Sequence, residues 1–138
     1  MRALRKYFDL PPEDRTLLWK ALGTVAICRA ALWFAPFERV RRWAAAAPPV
    51  SGGVPVERLA WSVKAAARRM PGATCLVQAL ALQRLLSQSG KTSTLEVGVA
   101  KDSGRFTAHA WLTCEGRVLI GGGKEGYAPI AAWKSGRS

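Results

Sequence analysis

The spacing of apolar residues changes once along this chain, from a helical period to strict alternation. Pro11-Pro12-Glu13-Asp14 opens the first helix: prolines suit a first turn whose N–H groups have no helical partner, and acids meet the positive end of the dipole. Leu17, Leu18, Ala21, Leu22, Val25, Cys28 and Leu32 follow near helical spacing, so this helix is expected to reach about Phe34, where Pro36 stops it. A shorter helix is expected from Phe37 to about Ala47, ended by Pro48-Pro49. Pro48–Pro55, with Ser51, Gly52 and Gly53, reads as a linker. The third helix, about Val56–Met70, is apolar at Leu59, Val63, Ala66 and Met70 and basic at Arg58, Lys64, Arg68 and Arg69. Pro71-Gly72 interrupts again, and Thr74 is the expected N-cap of a fourth helix, Cys75 to Ser89, closed by Gly90.

Beyond Gly90 the period is two. Leu95, Val97 and Val99 alternate with Glu96, Gly98 and Ala100 as a strand, and Asp102-Ser103-Gly104 makes a turn. Phe106–Cys114 is a second strand, Glu115-Gly116 a tight hairpin and Arg117–Ile120 a third strand. Gly121-Gly122-Gly123 is a loop, and Tyr127–Trp133 supplies a last short element. The expected architecture is α+β in a single domain spanning 1–138: N-terminal helices over 1–50, then a core over 54–138 built on a small antiparallel sheet. No repeat interrupts it.

Composition narrows the class. With 138 residues, 49% of them hydrophobic, the chain has enough apolar surface for one folded domain, which excludes a disordered tail. The net charge of +12 favours an acidic partner: nucleic acid, anionic lipid or an acidic peptide. Arg39, Arg41 and Arg42, like Arg58, Lys64, Arg68 and Arg69, lack the interleaved aromatics of a nucleic-acid surface and read as solvated helix faces, so no nucleic-acid partner is expected. Cys28, Cys75 and Cys114 are odd in number and widely spaced, which argues against a disulfide framework and for reduced thiols in a cytoplasmic protein. No apolar signal core follows the basic Met1–Lys6. Ala21–Phe37 is apolar except for Arg29 and ends beside Pro36, so a buried helix is expected there and no membrane span. The tryptophans lie mostly in apolar helical stretches and are expected in the core.

Two residues have settings that suit chemistry. Cys75 falls on the first turn of a predicted helix, where unpaired N–H groups and the dipole favour a thiolate and can donate to an oxyanion beside the sulfur. Read as packing alone, it is a small buried hydrophobe. His109, the chain's single histidine, lies mid-strand. Alternation sets it with Thr107, Trp111 and Thr113 on one face, opposite Phe106, Ala108, Ala110 and Leu112. A lone histidine is commonly structural, but Cys–His chemistry has no other imidazole to use here. Cys28, on an apolar stripe, and Cys114, at a strand end, read as packing. The acids give no ligand spacing for a metal, and the triple glycine lacks the Lys-Ser/Thr of a phosphate loop, so no metal or cofactor is expected.

Ala73-Thr74-Cys75-Leu76-Val77-Gln78-Ala79-Leu80-Ala81-Leu82-Gln83-Arg84-Leu85-Leu86, then Leu95-Glu96-Val97-Gly98-Val99, then Phe106-Thr107-Ala108-His109-Ala110-Trp111-Leu112, together resemble the leader peptidase of lasso-peptide biosynthesis. That family is the peptidase portion of the microcin-processing proteins and has a transglutaminase-like fold related to papain. The resemblance runs from about Pro71 to Trp133, and Leu10-Pro11 with the Ala-Leu-Trp-Phe-Ala-Pro-Phe stretch looks like the stand-alone form. It implies that Cys75 attacks a peptide carbonyl, that His109 moves the proton, and that a thioester forms and is hydrolysed. It further implies a lasso precursor as substrate, a separate leader-recognition partner protein and a lasso cyclase acting afterwards. The family usually places an Asp on the strand after the histidine strand, whereas this chain reads Val118-Leu119-Ile120-Gly121-Gly122. Glu125 downstream is then the candidate third member, with Glu96 and Asp102 the acids upstream. A non-catalytic, chaperone-like relative would instead leave Cys75 merely buried, and another acyl transfer would use the same two residues.

Overall fold

The first helix, α1 (Pro12–Phe34), is apolar on two sides, and the fold covers one of them. A computed structural model of the chain describes residues 12–46, 55–70, 74–102, 104–114, 117–120 and 128–134. Leu18, Ala21, Val25 and Cys28 form the covered stripe of α1, packed on the third and fourth helices, α3 (Val56–Arg68) and α4 (Cys75–Gln88). The Asp14 carboxylate, at the start of α1, pairs with Arg58 of α3. Between α1 and α3 lies the short helix α2 (Phe37–Ala45), which buries Val40 and Ala44 and packs on α4. Pro36 and Pro55 hold extended backbone at the N-caps of α2 and α3, with Glu38 and Glu57 in the first turns and Arg42 and Arg68 in the last. Each acid meets the positive pole of its helix and each arginine the negative one.

Helix α4 is the centre of the molecule. It touches α1, α2, α3 and the sheet, and it buries Val77, Ala79, Leu80, Ala81, Leu82, Leu85 and Leu86 on nearly its whole circumference. A helix apolar all round is stable only when surrounded, and here helices and sheet close over it. Its end is fixed by a Schellman motif: Gly90 takes φ +78, its N–H donates to Ser87 O at 3.0 Å, and Lys91 N–H donates to Leu86 O at 2.9 Å.

The sheet has four antiparallel strands in the order β3-β2-β1-β4, with β1 Thr94–Asp102, β2 Arg105–Cys114, β3 Arg117–Ile120 and β4 Ala128–Lys134. One face, with Leu95, Ala110, Leu112, Cys114 and Ile120, joins the helical core. The family-like α+β architecture expected from the sequence is the one observed. The last strand pairs with β1 across the sheet rather than with β3, its predecessor.

Two expectations need correction. The apolar first helix is not a buried one: Trp19, Ile27, Trp33 and Phe34 are 60, 54, 74 and 86% exposed. Nor are the tryptophans core residues. Trp61 is also exposed, Trp43 and Trp133 are half-buried, and only Trp111 is fully enclosed, on the sheet face opposite the helices. Composition reports how apolar a helix is, but which side another element covers is decided by tertiary packing.

Candidate functional site

Thr74 stands in extended backbone at the mouth of α4, and its hydroxyl oxygen accepts the Val77 N–H at 3.3 Å. Its carbonyl accepts Gln78 N–H at 2.9 Å. These two bonds close the first turn and make Cys75 the first residue of the helix. The Cys75 side chain is half-buried and reaches the edge of β2, where its sulfur accepts the backbone N–H of Ala110 at 3.4 Å. In an antiparallel ladder alternate residues turn their polar groups away from a given neighbour. β3 ends at Ile120, opposite Leu112, so the Ala110 amide lies just beyond the stretch that β3 covers. The sulfur occupies the outward hydrogen-bonding position of β2 at Ala110.

His109 immediately precedes that amide. It is half-buried and sits opposite Gly98 of β1, the one residue type that adds no side chain on the shared face. On that face the Trp111 ring is tilted 31° to the imidazole at a centroid distance of 6.2 Å. The Trp111 indole N–H donates to the carboxylate of Glu96, its direct partner across the β1–β2 ladder. The sulfur thus reaches β2 from the helical side at the Ala110 amide, while His109 shares the opposite face with Trp111 and Glu96.

The other candidates are elsewhere. Cys28 is buried in α1, and loss of solvation pushes its thiol up to about 12, against the opposing pull of nearby Arg84. Cys114 is buried at the end of β2, its thiol donating to Thr92 O at 3.4 Å. Asp102 closes the far end of the β1–β2 hairpin opposite Arg105, several residues from Glu96. Glu125 lies outside the described residues. Glu96 is the carboxylate that reaches Trp111, the neighbour of His109 on their shared face.

The chain's own pattern contained part of this geometry. The alternation was legible, but the pairing of Glu96 with Trp111 and Gly98 with His109 was not, because Asp102, expected in the turn, is the last residue of β1 and pairs with Arg105. The contact between Cys75 and Ala110 was not legible, because it depends on how far β3 extends.

Searches of curated proteins and of solved structures found no match to this chain. Residues 18–132 match the Transglutaminase-like superfamily, whose members include cysteine peptidases and transferases. That span takes in the helix carrying Cys75, the strand carrying His109 and most of α1 before them. With the helical layer, the antiparallel sheet and the cysteine at a helix start, the match covers most of the chain, and the protein belongs to the transglutaminase-like superfamily.

Proposed function

We propose that this protein is a cytoplasmic cysteine peptidase that removes the leader from a lasso-peptide precursor. The observation that carries the reading is a first-turn cysteine whose sulfur accepts the N–H of the residue after the chain's single histidine. The Cys75 sulfur attacks the scissile carbonyl carbon while the His109 imidazole takes the thiol proton. The imidazolium passes that proton to the departing amine as the C–N bond breaks, leaving a thioester on Cys75. Water then attacks the thioester, giving its proton to the imidazole, and the leader leaves as a carboxylate with the thiol restored. First-turn N–H groups of α4 supply donors for the oxyanion. Glu96, through Trp111, is the group that steadies the imidazole face. No cofactor enters these steps.

On this reading leader recognition falls to a separate partner protein and ring closure to a cyclase. The test is mass spectrometry of a lasso precursor incubated with its leader-binding partner and either wild-type protein or Cys75→Ala. A leader fragment is expected with wild type, and Cys75→Ala should lower its rate of appearance on the order of a thousandfold or more. His109→Ala should do the same. Equal cleavage by wild type and Cys75→Ala would remove Cys75 from the mechanism and favour a peptide-presenting role.

A further inference from the structure

Several basic side chains of this fold have local partners. Arg41 pairs with Glu38, Arg58 with Asp14 and Arg117 with Glu57, while Arg69 and Arg84 donate to the carbonyls of Ala65 and Trp43. Lys64 and Arg68 do not follow this pattern. They lie one turn apart on α3, both are exposed, and neither has an ion pair or hydrogen bond among the described residues. Like charges at this helical spacing repel one another, so an anion bound between them relieves a standing cost.

What stands between them is a cavity of about 340 Å³ lined by Lys64, Ala67, Arg68, Gln78 and Ile120. Its volume is in the range that takes a small ligand or a few atoms of a peptide. Among the described residues, no carboxylate lines its walls. Two of those walls belong to the neighbourhood of the sulfur. Gln78 is three residues beyond Cys75 on α4, about 4.5 Å along the helix axis. Ile120 ends β3 opposite Leu112, two residues from the amide that meets the sulfur. The cavity therefore takes two of its walls from the elements that meet at the sulfur, and among the described residues its charge is unbalanced.

We propose that this cavity is a substrate subsite that takes an aspartate or glutamate side chain of the peptide, held by Lys64 and Arg68 close to the bond presented to Cys75. The inference rests on Cys75 being the nucleophile. Ala67 and Ile120 give the apolar floor on which the methylene of such a side chain rests, and Gln78 adds an amide. Charge-assisted bonds from an ammonium and a guanidinium select a carboxylate over its amide.

The test needs no knowledge of the natural precursor. Acetylated tetrapeptidyl vinyl sulfones are made in pairs identical except for Glu against Gln, the pair being moved through each position in turn. Alkylation of Cys75 is followed by intact mass and located by peptide mapping. At one position the Glu probe is expected to react about tenfold faster than its Gln twin. In Lys64→Gln/Arg68→Gln, whose changes are on exposed side chains, that ratio should fall toward one while the Gln probe keeps its wild-type rate. Equal Glu and Gln rates at every position, or a ratio that survives in the double variant, would overturn the subsite and leave the nucleophile standing. A folded protein in which Cys75 is inert to all probes would sink the nucleophile itself, and the subsite with it.

Discussion

Cysteine occurs in this chain in three surroundings, and they assign the sulfur different tasks. Cys28 is sealed from solvent, the Cys114 thiol donates a hydrogen bond to a carbonyl, and the Cys75 sulfur accepts one from an amide. For Cys28 the consequence is a dependence of stability on alkaline pH. Burial raises the folded-state value from 9.0 to about 12, so the folded state holds the thiol proton where the unfolded chain has lost it. This contribution is whole below about pH 9 and is lost as pH rises toward 12. Denaturation midpoints measured between pH 8 and pH 11 should fall more steeply for wild type than for Cys28→Ala. The smaller side chain lowers stability below about pH 9 and removes this slope, so the two curves converge as pH rises. At the same scale, the setting of Cys75 was legible, because Thr74 before an apolar run announces a helix start. The exposure of Trp19 and Trp33 was not, since either side of an apolar helix looks equally fit for the core.

At the scale of elements, α4 and the β1–β2 hairpin carry the site, and both were readable from local chemistry: a threonine cap, a glycine stop, alternation and a turn at Asp102-Ser103-Gly104. The order of strands was not readable in this way. β4 crosses to β1 because Trp133 packs against the helical core, edge-on to Phe37 at 5.2 Å and under Arg41, which no local pattern announces. Helix α4 also contains a residue out of keeping with its surroundings. Gln83 is wholly buried, and neither its amide oxygen nor its nitrogen has a hydrogen-bond partner among the described residues. An unpaired buried amide costs about 1–3 kcal/mol. Gln83→Leu, close in volume, should therefore stabilise the fold by roughly 1–3 kcal/mol in urea denaturation, with the slope of the transition unchanged. A decrease in stability would show that the amide is satisfied by a group that packing alone does not reveal. The substitution is remote from Cys75 along the helix, so the alkylation rate of Cys75 should be unchanged.

For the whole molecule, the uncovered side of α1 sets up a contest between charge and apolar surface. Trp19, Ile27, Trp33 and Phe34 face outward on a body carrying +12. At low ionic strength that charge keeps molecules apart. Salt shortens the reach of the repulsion from about 10 Å at 0.1 M to about 3 Å at 1 M and leaves the apolar attraction intact. In colloidal terms, the osmotic second virial coefficient should pass from positive to negative as sodium chloride is added, the reverse of a protein whose copies are joined by ion pairs. Light scattering on a salt series would show it, and Trp33→Ser/Phe34→Ser should keep the coefficient positive throughout. Purification in high salt, the usual remedy for a basic protein that clings to nucleic acid, would then be the condition that drives this one out of solution.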